Sequence, residues 1–289
     1  MTIAAQKFTT LVSPELLAQH LHDPSWLLFD CRFVLTRPEF GREAYAKAHI
    51  PGARYAHMNE DLSAAHTATS GRHPLPDPRL LADKLGRWGV DGDKQVVVYD
   101  DSFGSMAVRL WWLLRWLGHE AVALLDGGLA AWQRQGRELS ADIPSARPTE
   151  FRPAPDDSLW LDSKAVLEAL QQKRVIVDAR AEERYSGFIE PIDKVAGHIP
   201  GTLNSPFEDN LDLRGKFLQP EELRALYEPL LAGASPDQVI HMCGSGVTAC
   251  HNLLALEIAG MPGGKLYAGS WSEWITDPSR PIWSKGGSP

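Results

Sequence analysis

The sequence predicts two α/β domains in tandem, each a mostly parallel sheet flanked by helices, and three observations predict it. Short apolar runs without polar alternation recur along the chain, as expected of parallel strands covered on both faces. They alternate with helical patterns that carry recognisable start and stop residues. The arrangement then recurs at a fixed spacing, the mark of one fold made twice.

In the first half the pattern predicts strands at Trp26–Asp30, Val96–Asp100 and Ala121–Leu125. Helices are predicted at Pro14–His22, Arg79–Trp88 and Ser105–Leu117. The first helix has Ser13 as N-cap, Pro14 at the first helical position and Glu15 in the first turn, a start built from a side-chain acceptor and a preset φ. After the third strand come Gly127-Gly128 and an amphipathic Leu129-Ala130-Ala131-Trp132. The second half repeats this with strands at Val175–Asp178, Val239–Met242 and Lys265–Tyr267. Between the halves, Arg137 to Ser158 holds four prolines and no apolar periodicity, which reads as a linker along the surface. The domains are accordingly drawn at 1–138 and 159–289, with the linker at 139–158.

The repeat is explicit in the residues. Leu27-Leu28-Phe29-Asp30-Cys31-Arg32 answers to Val175-Ile176-Val177-Asp178-Ala179-Arg180, and His49-Ile50-Pro51-Gly52 to His198-Ile199-Pro200-Gly201. Gly118 and Gly260, Gly127 and Gly269, and Trp132 and Trp274 are each 142 positions apart. The same offset carries Cys243 onto Asp101, so the first copy is expected to lack a thiol and to serve as scaffold.

Bulk properties narrow the function classes. A chain of 289 residues suffices for two cores, and 44% hydrophobic with 23% charged residues is ordinary for a globular protein. The net charge of −8, without any Lys/Arg cluster, argues against nucleic acid as a partner. No apolar run approaches the roughly 20 residues that span a bilayer. Met1 to Thr10 lacks the pattern of a signal or transit peptide. Three cysteines, Cys31, Cys243 and Cys250, are too few and too odd for a disulfide scaffold, so the cytoplasm is the expected compartment.

The chemistry concentrates at Ile240-His241-Met242-Cys243-Gly244-Ser245-Gly246-Val247-Thr248-Ala249-Cys250. An apolar run ends at a cysteine, small residues follow, and a helical pattern over His251–Ala259 stops at Gly260. That is strand, tight loop and helix, with backbone N–H groups and the helix's positive end converging on one place. A thiolate there is a nucleophile. A merely structural thiol has no need of Gly244 and Gly246, which signal positive φ or close backbone approach. The stretch also satisfies G-x-G-x-x-A, but it lies about 45 residues from the C-terminus, too late to open a dinucleotide-binding unit. A cysteine phosphatase needs an arginine closing the loop, and Ala249 stands there. His241, Cys243, Cys250 and His251 lack metal-ligand spacing. Neither a metal nor a cofactor is expected.

On these residues the chain resembles the tandem rhodanese-domain sulfurtransferases: the duplication, the paired His-Ile-Pro-Gly segments, Asp178-x-Arg180 and above all Cys243-Gly244-Ser245-Gly246-Val247-Thr248-Ala249. The resemblance implies two rhodanese-like domains, the second catalytic, and a loop similar to that of the mercaptopyruvate branch. It implies transfer of sulfane sulfur from 3-mercaptopyruvate through a Cys243 persulfide to a thiol, cyanide or thioredoxin-like acceptor. Thiosulfate is the alternative donor, and a persulfide carrier loaded by another protein the alternative class. The thiosulfate branch tends to carry basic residues in the loop, whereas Gly244, Ser245, Gly246, Val247 and Thr248 are neutral.

Carried over by resemblance, Arg184 grips the donor carboxylate. Ser245 with His73 and Asp61 forms a relay for the proton on the leaving enolate, and Asn59 and Glu60 lie close to Asp61 in sequence. The second arginine usual after Glu-Pro is missing from Glu190-Pro191-Ile192-Asp193-Lys194, and Lys194 offers only a point charge. Asp178 and Arg180 recur as Asp30 and Arg32, which favours a structural ion pair. His49 and His198 are expected to hold turns, and Cys250 to be buried.

Overall fold

Each half of the chain builds a five-stranded sheet in which every strand pair is parallel. The computed structural model describes residues 7–284. Residues 1–6 and 285–289, which include most of the stretch read for a targeting signal, lie outside the described residues. The chain divides into two units: the residues up to Ser63 with Pro76–Asp156, and Ala64–Leu75 with the residues from Asp157 onward.

In the first unit the elements are β1 (Leu11–Val12), α1 (Pro14–Gln19), β2 (Trp26–Asp30), α2 (Phe40–Lys47), β3 (Arg54–Tyr55), α3 (Pro78–Arg87), β4 (Gln95–Tyr99), α4 (Ala107–Trp116), β5 (Val122–Leu125) and α5 (Gly128–Arg134). The second unit has β6 (Trp160–Leu161), α6 (Ser163–Gln171), β7 (Ile176–Asp178), α7 (Glu182–Tyr185), β8 (Leu203–Asn204), α8 (Pro220–Leu231), β9 (Ile240–Met242), α9 (Ala249–Ile258), β10 (Lys265–Tyr267) and α10 (Ser270–Trp274). The sheet orders are β1-β5-β4-β2-β3 and β6-β10-β9-β7-β8, one topology twice.

Local chemistry sets the helix starts. Ser13 accepts the Leu16 N–H at 3.2 Å ahead of Pro14, and Asp77 and Asp162 cap α3 and α6 in the same way. Every residue of β4 is buried, which explains its unbroken apolar run. The three strands expected in each half are present, with ends shifted by at most one residue. The first helix stops earlier than expected, because the His20 N–H turns back onto Leu17 at 3.0 Å. No helix among the described residues is long and apolar enough to cross a membrane. Residues 137–156 form no helix or strand, and hydrogen bonds from Thr149, Ala154 and Asp156 lay them along α3 and α4.

The duplicated devices are built alike. Asp30 takes the Arg32 amide, Nε and Nη2, and Asp178 takes the same three groups of Arg180. Both pairs are buried, with Arg32 bonding the Ala48 carbonyl and Arg180 the Gly197 carbonyl. His49 donates through Nδ1 to the Tyr45 carbonyl and stacks on that ring, and His198 does so with Tyr185. These groups hold turns, as the repeat suggested.

The ladder corrects one correspondence. Asp30 is in register with Tyr99, and Asp178 with Met242. The Asp100 carbonyl accepts from Leu129 and the Cys243 carbonyl from Trp271. Asp100, not Asp101, therefore stands where the second copy has Cys243. The fixed offset misses this because the loop before α4 is one residue longer than the loop before α9.

Candidate active site

β9 is the middle strand of the second sheet, and Cys243 is the residue that follows it. Open parallel sheets bind ligands at this carboxyl edge, where loops and helix N-termini gather. The loop from Cys243 to Val247 is buried, with Cys243 only 1% exposed. Its backbone is clamped by α10: the Cys243 N–H donates to Ser270 Oγ at 3.1 Å, and the Cys243 carbonyl accepts from Trp271 at 3.0 Å. The Gly244 carbonyl accepts from Ser272 at 2.9 Å. Ser270 itself holds φ at 53°, and its hydroxyl donates to the Tyr267 carbonyl. A left-handed serine costs about 1–3 kcal/mol, and such strain concentrates at functional loops.

Both loop glycines have a steric reason. Gly246 has φ of 74°, and a Cβ there would lie 2.3 Å from the Ala268 carbonyl oxygen. A Cβ on Gly244 would lie 3.2 Å from Arg72 Nη2 and 3.5 Å from both Nη atoms of Arg184. Two guanidinium groups therefore face the residue next to the thiol.

Arg72 and His73 come from the Ala64–Leu75 segment, which packs as part of the second unit. The Arg72 N–H donates to Ser272 Oγ at 3.0 Å, tying the segment to α10. His73 Nδ1 lies 2.8 Å from Ser245 Oγ, with both side chains buried. The expected histidine–serine contact is thus present. Asp61 belongs to the first unit, where its carboxylate takes Lys84 Nζ and, at 2.7 Å, the His57 N–H.

The guanidinium groups share acids. Arg184 gives Nε and Nη2 to Glu190 at 3.1 and 3.0 Å, and Nη2 to Asp193 at 2.9 Å. Arg72 gives Nη1 to the other oxygen of Asp193 at 2.6 Å. Burial opposes the charge on Arg180, but Asp178, Glu190 and Asp193 outweigh it and raise its pKa. Its guanidinium stacks 4.8 Å from the Trp271 ring, a cation–π contact beneath α10. Lys194 is exposed.

Two candidates for other chemistry resolve into structure. Cys250 is fully buried, its thiol donating to the Gly246 carbonyl at 3.4 Å. His241 is fully buried, and burial lowers its pKa to about 3, so it is a neutral core residue. In the first unit Glu39, His57 and Glu60 lie close enough to hold an ion. Arg42 bonds both acids, at 3.0 and 2.6 Å, which makes them an ion-pair cluster.

Reading the sequence misses Arg72, Asp193 and Ser270. Arg72 stands beside the candidate histidine, but a pairing across 121 residues leaves no local signal. Ser270 follows Gly269 in an unremarkable polar stretch, and only its positive φ marks it.

Comparisons with known proteins agree with this geometry. The family described as Rhodanese-like domain matches residues 13–135 and 162–277. A probable 3-mercaptopyruvate sulfurtransferase from Pseudomonas aeruginosa is 51% identical over 275 residues, covering 94% of this chain and 97% of the relative. The 3-mercaptopyruvate sulfurtransferase of Homo sapiens is 39% identical over 277 residues, 91% of either chain. The crystal structure of SseA from Escherichia coli, a 3-mercaptopyruvate sulfotransferase, superposes with a TM-score of 0.79 at 35% identity, covering 92% of this chain and 100% of that one.

Proposed function

The chain belongs to the rhodanese-like domain family, and from that premise we propose that it is a sulfurtransferase working on 3-mercaptopyruvate through a persulfide at Cys243. One observation carries the reading. In the first copy, the loop after the central strand gathers four N–H groups, of Ser102, Gly104, Met106 and Ala107, onto the Asp100 carboxylate, each at 2.8 Å. The loop is an anion cradle, and the strand register puts Cys243 in the second copy where Asp100 stands in the first. Backbone donors aimed at a developing anion stabilise it without reorganisation.

The Cys243 thiolate attacks the donor sulfur, forming an S–S bond as the donor's C–S bond breaks. The electron pair leaves with pyruvate enolate, which takes a proton at carbon. The amides of Gly244, Ser245, Gly246, Val247 and Thr248 stabilise the persulfide anion. Ser245, held by His73, manages the proton on the enolate, and Arg184 lends positive charge to the donor carboxylate. Asp61→Asn tests whether that acid contributes to turnover. In the second half-reaction an acceptor sulfur or cyanide attacks the outer sulfur and releases the Cys243 thiolate. A small thiol, cyanide or a thioredoxin-like dithiol serves as acceptor. Cys31, Cys243 and Cys250 form no disulfide with one another, which suits a reducing compartment, the cytoplasm.

The test is steady-state transfer from 3-mercaptopyruvate and from thiosulfate, with mass measurement of the Cys243 persulfide. Preference for 3-mercaptopyruvate with loss of transfer in Cys243→Ser supports the reading. Preference for thiosulfate moves the donor but keeps the nucleophile. Full activity in Cys243→Ser refutes it.

A further inference from the structure

A residue in the left-handed region is usually glycine, and the two copies of this fold differ at one such residue. In the first copy it is Gly128, at φ of 58°. In the second it is Ser270, at φ of 53°. The two correspond because the N–H of the next residue donates, in each copy, to the carbonyl of the residue that follows the central strand: Leu129 to Asp100 at 2.9 Å, and Trp271 to Cys243 at 3.0 Å. The first copy leaves no room for a side chain there, since a Cβ on Gly128 would lie 2.6 Å from the Asp100 carbonyl oxygen. The second copy admits one and gives it two bonds. Ser270 Oγ accepts the Cys243 N–H at 3.1 Å and donates to the Tyr267 carbonyl at 2.9 Å, and the residue is fully buried.

The chemistry of the two groups explains the difference. A carboxylate holds its own place: Asp100 takes the Ser102 and Gly104 N–H groups on one oxygen and those of Met106 and Ala107 on the other, each at 2.8 Å. A thiol is a single weak acceptor and gives its backbone no such anchor. We propose that Ser270 is a positioning residue for the nucleophile, a serine kept in a glycine conformation because its hydroxyl fixes the Cys243 amide and, through it, the sulfur. This rests on the sulfurtransferase reading above. The hydroxyl spends its one proton on Tyr267 and takes Cys243 on its oxygen, so it ties the end of β10 to the residue after β9. Glycine at this position would relieve the backbone and lose the tie; alanine would keep the backbone cost and lose the tie as well. Stability is therefore given up for the setting of one thiol, as happens at strained functional positions. Ser270 acts on Cys243 whichever donor arrives, so donor binding has no share in its role.

The experiment compares the parent with Ser270→Gly and Ser270→Ala, by melting curves and by single-turnover formation of the Cys243 persulfide from 3-mercaptopyruvate and from thiosulfate, read by mass. At saturating donor both variants should form the persulfide roughly tenfold more slowly or worse, because the reacting sulfur is no longer held in place. The loss should be alike for each donor that the parent uses, and the half-saturating donor concentration should stay within about twofold of the parent's. Ser270→Gly should melt within a few degrees of the parent, since relief of the left-handed backbone offsets the lost hydrogen bond. Ser270→Ala should melt below Ser270→Gly. A Ser270→Gly protein with the parental rate overturns the proposal, as does a rate that follows the melting temperature, low in Ser270→Ala and near parental in Ser270→Gly. So does a Ser270→Gly protein that melts far below the parent, which would make the serine a stabilising residue. Should Ser270→Ala fail to fold, Ser270→Gly decides alone. A parent that forms no Cys243 persulfide from either donor overturns the sulfurtransferase reading itself, before any variant is compared.

Discussion

Replacing Gly246 with alanine is the sharpest steric probe of the loop. The added Cβ would stand 2.3 Å from the Ala268 carbonyl oxygen, where non-bonded heavy atoms settle near 3.5 Å, so something must give by about 1 Å. Ala268 directly follows β10, whose end is pinned by the Ser270 hydroxyl on the Tyr267 carbonyl. The loop is therefore the partner that moves. Holding alanine at φ of 74° costs a further 1–2 kcal/mol, roughly, as for any L-residue in the left-handed region. The total is a small part of the stability of a buried unit, so the variant should fold and melt only a few degrees lower. Chemistry is less forgiving: a displacement of about 1 Å at the reacting group costs on the order of 100-fold in rate. The assay is rapid-quench formation of the Cys243 persulfide from 3-mercaptopyruvate, read by mass, with pyruvate release in parallel. Both should fall on the order of 100-fold. A Gly246→Ala protein with persulfide formation within about threefold of the parent would refute the claim that this glycine sets the cradle.

Two other outcomes follow from named groups. Ser245→Ala and His73→Gln remove the pair at 2.8 Å; pyruvate release should fall on the order of 100-fold, the usual size of a proton-transfer contribution, and transfer from thiosulfate, which leaves no carbanion, much less. Equal losses with both donors would assign the pair to loop structure instead. His241 is buried with its pKa lowered from near 6.5 to about 3. The unfolded chain then takes up a proton below about pH 6.5 that the folded chain takes up only near pH 3, so stability falls as pH drops, by about 1.4 kcal/mol per unit. His241→Leu should flatten the acid side of the melting-point profile between those limits, and a profile parallel to the parent's would show that other groups govern it.

How far the sequence could be read depended on the length over which a physical constraint repeats. Strands such as Trp26–Asp30, buried from Leu27 onward, and Gln95–Tyr99, buried throughout, announce themselves as apolar runs. The edge strands Leu11–Val12, Arg54–Tyr55, Trp160–Leu161 and Leu203–Asn204 have two residues each, too few to show any period, and were invisible. Arg72 was legible as a residue and not as a neighbour of Gly244. That proximity depends on the Ala64–Leu75 segment packing in the second unit, and no local pattern records which unit a loop joins. The Cys243 loop was legible in full, because its glycines, its small residues and the thiol all serve one local geometry.

The single misplaced correspondence is the most instructive. Counting by a fixed offset pointed to Asp101, and the ladder points to Asp100. The one-residue difference changes the meaning of the first copy. Asp101 would be a mere replacement for a lost thiol. Asp100 is an anion that the chain supplies to its own loop, with four N–H donors closed around it. Such a cradle would be costly if left empty, since buried unpaired N–H groups forfeit about 1–3 kcal/mol each. A copy that gives up its thiolate must therefore fill the place with another negative group or lose the loop. On the proposed function, the carboxylate in the first copy and the thiolate of Cys243 in the second are two answers to the same requirement. By this reasoning the duplicated half is a record of what the loop after the central strand is built to hold.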